Sequence, residues 1–427
     1  MKSEAILNAI ALLKENPQVS DYKINVRKTE SFQLFYVKGK LETVRSTDTC
    51  DRQVTVYADH DGCRGDAVFY IYPSTTARDL EGKIAEAVRS ALLIRNAPYS
   101  LPEAETADTR LPTNLDQDSM QEIAREIAEA TFAANTHKDG SLNSVEVFLN
   151  RHLDSVCNSR GLAKNQERWT AMVEAIPTFN GDRESVELYE QYNFSAYSRA
   201  DLMAEIAEKM DAVKARYEAV KPDFPMDCKV VLHRQELNDL FSSIAGDLNY
   251  ATVYSHGNLY HKGDRIQNTP TGDAINLKMK GFQEGNVSSA SFDGDGLSLG
   301  EITLVKDGTV KNYYGSNRFG QYLGEKPTGN LGCICVEPGT FTGVKGEPWL
   351  EVLSMSGLQV DFFNDYIGGE IRLACYHDGE KSLPVTGISI SGKLQEVLNH
   401  MELSAEPGTY DGYTGPASAV FDNMKIF

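Results

Sequence analysis

The sequence is short of positive charge. It carries 42 Lys and Arg against 61 Asp and Glu, a formal net charge of −19, and nowhere do four or more basic residues cluster. A surface this acidic is repelled by phosphate backbones unless a local basic patch offsets it, so direct nucleic-acid binding is not expected. Long apolar runs are also missing. No stretch approaches the ~20 uninterrupted apolar residues of a membrane-spanning helix. The opening segment "MKSEAILNAIALLKENPQVS" spaces Ile6, Ile10 and Leu13 along one helical face with Glu4 and Glu15 on either side, unlike the apolar block of a signal peptide. Cysteine is sparse: Cys50, Cys63, Cys157, Cys228, Cys333, Cys335 and Cys375 are odd in number and widely spaced. Reduced thiols in a cytoplasm are the expected state. Cys333 and Cys335 form a lone C-x-C, expected to be a poor chelate with one thiol packed inward and the other not.

The first half is poor in glycine: seven of the 34 glycines precede residue 228 and 27 follow it. That half carries helical spacing instead. Leu80, Ile84, Val88 and Leu92 recur every four residues; Met120, Ile123, Ile127 and Ala134 follow the same period, as do Leu202, Ile206, Met210, Val213 and Tyr217. Ser198 and Asp201 mark the start of the last of these helices. "YKINVRK", "FQLFYVKGKLETVRS", "RQVTVYA" and "DAVFYIY" alternate as strands do, with Lys38-Gly39-Lys40 at a hairpin turn. "VEVFLN", "LDSVCNS" and "VELYEQYNFSAYS" add further strands. Pro222 and Pro225 end the third helix and begin a linker. The division expected is an α+β domain over residues 1–225, with an antiparallel sheet and long helices, and a mainly-β, barrel- or sandwich-like domain over 226–427. In the second domain Asp307-Gly308 and Asp378-Gly379 read as hairpin turns. Leu394, Val397, Leu398 and Met401 share one face of a short helix.

Few residues there suggest chemistry. "LFSSIAGD", Leu240 to Asp247, reads as a helix that follows a strand directly. Ser242 and Ser243 lack a G-x-S-x-G elbow. His233 and Glu236 are three apart at the helix start, and His256 and His261 lie downstream; together they form an alternative metal or peptidase site, with His233 and Glu236 supplying half of it at best. "FDGDG", Phe292 to Gly296, opens like a calcium loop but lacks the later Glu. Composition, spacing and local motifs give no catalytic constellation.

The order of segments goes further. "FQLFYVKGKLETVRSTDTCDRQVTVYADHDGCRGDA", "DRIQNTPTGDA", "SSASFDGDG", "ITLVKDGTVKNYYGSNRFGQYLGEKPTGNLGCICVEPG", "GEIRLACYHDGEKSLPVTGISISGKLQEVLNHM" and "GPASAVFDNMKIF" resemble, in sequence and order, segments of the TldD/PmbA family, formerly named modulators of DNA gyrase. The resemblance implies one of two roles. TldD chains are metalloprotease subunits with H-E-x-x-x-H on the first helix of the C-terminal domain and a cysteine ligand near the C-terminus. PmbA or TldE chains are their partners and lack those ligands. Aligned on Gly246, the six motif positions fall on Ser242, Ser243, Ile244, Ala245, Gly246 and Asp247, and "SAEPGTYDGYTGPAS" has no cysteine. The resemblance therefore implies a PmbA/TldE-like, non-catalytic chain with no zinc of its own. Its expected partner is a zinc-bearing TldD-like subunit in a heterodimer, or a second copy in a homodimer, acting on unfolded peptides. Ser242, Ser243, Gly246 and Asp247 would line a groove that has lost its metal.

Overall fold

A computed structural model describes residues 4–427. The N-terminal half is built on an antiparallel sheet of unusually long strands. Helix α1 (Glu4–Glu15) is followed by β1 (Asp21–Val37), β2 (Lys40–His60) and β3 (Cys63–Tyr70), then α2 (Ala77–Ala91), β4 (Thr106–Arg110), α3 (Met120–Ala133), β5 (Gly140–Asn158), β6 (Ala163–Phe179), β7 (Val186–Glu187), β8 (Glu190–Phe194) and α4 (Arg199–Glu218). The sheet order is β3-β2-β1-β5-β6-β4, with β7 and β8 also on β6. All pairs are antiparallel except β4 with β6. At ~3.3 Å per residue, a 17-residue strand such as β1 spans roughly 55 Å. Lys38 and Gly39 turn β1 into β2 with φ of 49° and 74°, the left-handed pair a two-residue hairpin requires.

Such a sheet is too long for one core. At one end α1 and α2 bury Ile6, Leu13, Leu80, Ile84 and Val88 against Ile24, Val54 and Val56. At the other, α3 and α4 bury Ile123, Ile127, Leu202, Ile206 and Met210 against Val145, Val147, Leu149 and Val173. Between them the strands carry ions: Arg151 bridges Glu30 and Glu167, and Lys28 reaches Glu30. The helices start where their sequence dictates. Thr76 and Asp79 form a reciprocal capping box on α2, and the Ser198 hydroxyl accepts the Asp201 amide on α4.

The C-terminal half begins with β9 (Lys229–His233), which runs directly into α5 (Arg234–Asp247) and α6 (Tyr250–Tyr254). After these come β10 (Leu277–Lys280), β11 (Glu301–Lys306), β12 (Thr309–Val310), α7 (Asn317–Tyr322), β13 (Cys333–Val336), β14 (Trp349–Met355), β15 (Gln359–Asp361) and β16 (Tyr366–His377). The chain closes with β17 (Ser382–Val385), β18 (Ile388–Gly392), α8 (Leu394–His400), β19 (Glu402–Leu403), β20 (Pro407–Tyr410), β21 (Tyr413–Pro416), β22 (Ser418–Phe421) and β23 (Lys425–Ile426). Two sheets result. One has the order β12-β11-β10-β13-β21-β20; the other runs β19-β22-β9-β14-β16-β18-β23, with β15 and β17 also on β16. Helix α5 packs against strands of both, and its Leu237, Leu240, Phe241 and Ile244 are fully buried in one shared core with Val230, Leu277, Leu350 and Tyr413. Leu394, Val397, Leu398 and Met401 join that core from α8 and the residue after it. Asp307 and Gly308, with φ of 48° and 65°, make the tight turn read from the sequence. The class is α+β, as the sequence indicates.

Candidate functional site

Ser242, Ser243, Gly246 and Asp247 of α5 take no part in the wall of the cavity at the start of that helix. The Ser242 hydroxyl lies 3.3 Å from Asn238 Oδ1, and the Ser243 hydroxyl donates to the Asp239 carbonyl at 2.8 Å, one turn back in each case. Gly246 faces outward, and an added Cβ would meet nothing within 4 Å. Asp247 turns inward, 6% exposed, and accepts the backbone amides of Leu259 and Tyr260 at 2.7 and 3.0 Å. Burial pushes its pKa up. It anchors the loop that follows α6. The second half of α5 is committed to its own backbone and to that loop, and a cavity opens at the opposite end of the helix.

The four residues of the alternative site are likewise kept apart. His233 is the residue before α5 and Glu236 lies in its first turn, whereas His256 and His261 are exposed beyond its C-terminal end. A 14-residue helix at 1.5 Å per residue separates the two ends by about 20 Å. Among the described residues, no three of His, Cys, Asp and Glu converge as a metal centre would require. The donor set a zinc ion needs is therefore not assembled by these side chains. Cys333 and Cys335 also depart from expectation. Two residues apart on β13 they share one face, and both thiols turn toward Gln283 and Ser289, with Cys333 buried and Cys335 half-buried. Burial pushes both thiols up, Cys335 to about 11, away from the thiolate form.

A cavity of about 720 Å³ opens at the start of α5, walled by β8, α4, α5, part of β14 and β20. Nine carboxylate residues line it against two permanent cations. Both cations are engaged: Lys209 lies 3.6 Å from Glu190, and Arg234 lies 3.1 Å from Glu205. Burial raises the pKa of Glu190 and of Glu205 in spite of those neighbours. Glu351 goes the other way: burial opposes its ionisation, but the adjoining His233 and the hydrogen-bonded His377 outweigh that and lower its pKa. His233 Nε2 sits 3.3 Å from Glu351 Oε1 at an angle poor for a hydrogen bond, and His377 Nε2 lies 3.2 Å from the other oxygen.

Glu236 sits in the wall of this cavity with 5% of its surface exposed, and its carboxylate accepts from its own backbone amide but from no other described residue. Burial raises its pKa; that amide, His233 and Lys209 oppose this and Asp239 adds to it. A carboxyl whose pKa rises on folding stabilises the fold while protonated, and that contribution is lost as the pH climbs through the raised value. Glu236→Gln is therefore expected to stabilise the protein near pH 8 by on the order of 1 kcal/mol, because it removes a poorly compensated buried charge while keeping the side chain's shape. Near pH 4 it should change little. Urea denaturation at both pH values checks this; equal shifts, or a loss at pH 8, would contradict it.

Sequence reasoning reached His233 and Glu236 but missed Glu190, Tyr192, Glu205 and Glu351, which come from three other elements. The available signal was the alternation of Glu190 and Tyr192 on one short strand and the spacing of Glu205 and Lys209 on one helix face.

With this geometry in hand, comparison with known proteins is informative. Residues 225–427 match the PmbA/TldA metallopeptidase C-terminal domain. Those 203 of the chain's 427 residues are similar to the C-terminal domain of the TldD/PmbA family. A metalloprotease PmbA homolog from Haemophilus influenzae is 26% identical over 203 residues, covering 44% of this chain and 44% of its own length, so the match spans less than half of that curated relative. Three solved structures share the fold of this chain at 15% identity. TldE from Thermococcus kodakarensis superposes with a TM-score of 0.78 over 99% of both chains. Proteins described as candidate modulators of DNA gyrase superpose at 0.76 over 99% of both chains for Thermotoga maritima, and at 0.77 over 100% of this chain and 99% of the other for Bacteroides thetaiotaomicron.

Proposed function

We propose that the chain is a PmbA/TldE-like, non-catalytic subunit of a TldD-type metalloprotease, assisting in the cytoplasm the proteolysis of small unfolded peptides. The observation that carries this reading is the makeup of α5. Where a TldD-type chain places its histidines and glutamate, this helix has serines bonded to their own helix, an outward glycine and an aspartate that holds a loop. Metal-assisted hydrolysis needs a Lewis acid and a base for the attacking water, and no described cluster of ligands offers the first. A partner subunit needs a surface for the catalytic chain and strand edges for an extended peptide. Edge strands provide the latter by sequence-tolerant main-chain hydrogen bonding. No described helix is long and apolar enough to cross a membrane.

The expected assembly is a heterodimer with the TldD-type chain. Mixing the two purified proteins and following them by sedimentation velocity tests it. A new species at the summed mass supports the heterodimer. A self-dimer that excludes the metalloprotease would favour a stand-alone peptide-binding protein instead.

A further inference from the structure

We propose that the acidic cleft at the start of α5 receives the ammonium or guanidinium group of a Lys or Arg side chain carried by an extended peptide. The proposal names the substrate class for the peptide-handling role above and rests on that reading.

Three observations carry it. The first is Glu236, about nineteen-twentieths buried, in the cavity wall, with a carboxylate held by its own backbone amide and by no other residue. One amide leaves most of a buried carboxylate's accepting capacity free, and a cation entering the cleft would supply further donors. The second is Tyr192 in the same wall, 7% exposed, whose hydroxyl has no hydrogen-bond partner. Tyr192 and Tyr410 line the cavity beside the carboxylates, so the wall mixes aromatic and acidic groups, a setting suited to organic cations. The third is the strand arrangement. β8 pairs only with β6, and β20 ends its sheet beyond β21, so each presents an edge with no strand partner among the described residues. The two edges flank the cleft, bridged by Asn193 Nδ2 donating to Asp411 Oδ1 at 2.8 Å. An extended chain paired along either edge would direct alternate side chains into the cavity.

The chemistry favours an organic cation over a metal ion. A metal needs three or more oxygens within ~2.0–2.6 Å of one point, and the acids here come from separate elements without converging. A long basic side chain needs only one or two charge-assisted hydrogen bonds in an electronegative cavity large enough to hold it, and about 720 Å³ is ample.

The test uses the full chain and two end-capped, unstructured fluorescent peptides, identical except that one carries a single Arg where the other carries citrulline. Citrulline keeps the shape and loses the charge. Anisotropy titration should show the Arg peptide binding roughly tenfold tighter, the scale of one hydrogen bond to a charged group. Glu236→Gln, and separately Glu205→Gln, should shrink that ratio toward one while the citrulline affinity holds, with thermal melts confirming that each variant folds. Equal affinities in the native chain, or a ratio unchanged in Glu236→Gln, would overturn the proposal. So would spermidine binding that Glu236→Gln abolishes in a chain that binds neither peptide, since the cleft would then serve a free polyamine. Arg discrimination in a chain that forms no complex with the metalloprotease would keep this site and remove the subunit role.

Discussion

Arg64→Ala is expected to lower stability by on the order of 3–5 kcal/mol, the cost of breaking a buried, hydrogen-bonded ion pair from one side. The guanidinium is 5% exposed on β3. Its Nε reaches Asp59 at 2.7 Å, its Nη2 reaches Asp21 at 2.8 Å, and its Nη1 donates to the Tyr99 carbonyl at 2.7 Å. The Tyr57 and Tyr99 rings lie 5.5 and 5.7 Å from its centre. Removing it strands a buried Asp21 and releases the 96–100 segment. That segment in turn ties the N-terminal sheet to α7: Asn317 and Gln321 donate to the Ser100 carbonyl, and the Tyr322 hydroxyl donates to Ala97. Lysine cannot copy a fork that serves three acceptors, so Arg64→Lys should recover only part of the loss. A pH signature accompanies this. The hydrogen bond from Arg64 holds the Asp59 carboxyl below its usual range. Its stabilising effect is thus present above the ordinary carboxylate pKa and lost as the pH falls through the lowered value. The gap between native and Arg64→Ala proteins should narrow in acid. Urea melts from neutral to acid pH measure this, and a loss under about 1 kcal/mol at neutral pH, within the range of exposed pairs, would contradict it.

Phe241→Ala should destabilise to a similar degree, about 3–5 kcal/mol, the usual cost of truncating a fully buried Phe. Its ring is stacked on that of Tyr413 at 6.0 Å and 8°. Both residues are fully buried, and Tyr413 donates to the Pro416 carbonyl. The pair locks α5 to β21. Ser242→Ala and Ser243→Ala, one and two residues on, should change stability by no more than about 0.5 kcal/mol, because their partners lie within the same helix. A thermal-denaturation series across the three variants separates the packed face of α5 from its outward face. Comparable losses at all three would mean that the serines bear on something the fold does not show.

Much of the architecture was legible in local sequence. The spacing of Leu80, Ile84 and Val88, the Ser198 cap and the Lys38-Gly39 and Asp307-Gly308 turns all depend on neighbours within a few residues, and each appears in the structure. The strands were legible only in pieces. "YKINVRK" and "FQLFYV" belong to one strand, β1, and "VEVFLN" and "LDSVCNS" to another, β5. Each is interrupted by a polar middle, Thr29 to Ser31 and Asn150 to His152, which breaks the alternation because cross-strand ion pairs replace the apolar core there. β6, with residues such as Glu167 and Arg168 in the same ionic belt, gave no signal at all. The cleft was the least legible feature. Resemblance pointed to Ser242 through Asp247, whereas the cavity gathers Glu190, Glu205, Glu236 and Glu351 from four elements spread over 162 positions of the chain. Only the folded arrangement of β8, α4, α5 and β14 brings those acids together.

The central claim is that this chain serves a metalloprotease without being one. The direct measurement is cleavage of an unstructured peptide by the purified chain, by the TldD-type metalloprotease proposed as its partner, and by an equimolar mixture, all with zinc supplied. The account predicts no cleavage by this chain alone and faster cleavage by the mixture than by the partner. Zinc-dependent cleavage by this chain alone, or a mixture no faster than the partner, would contradict it.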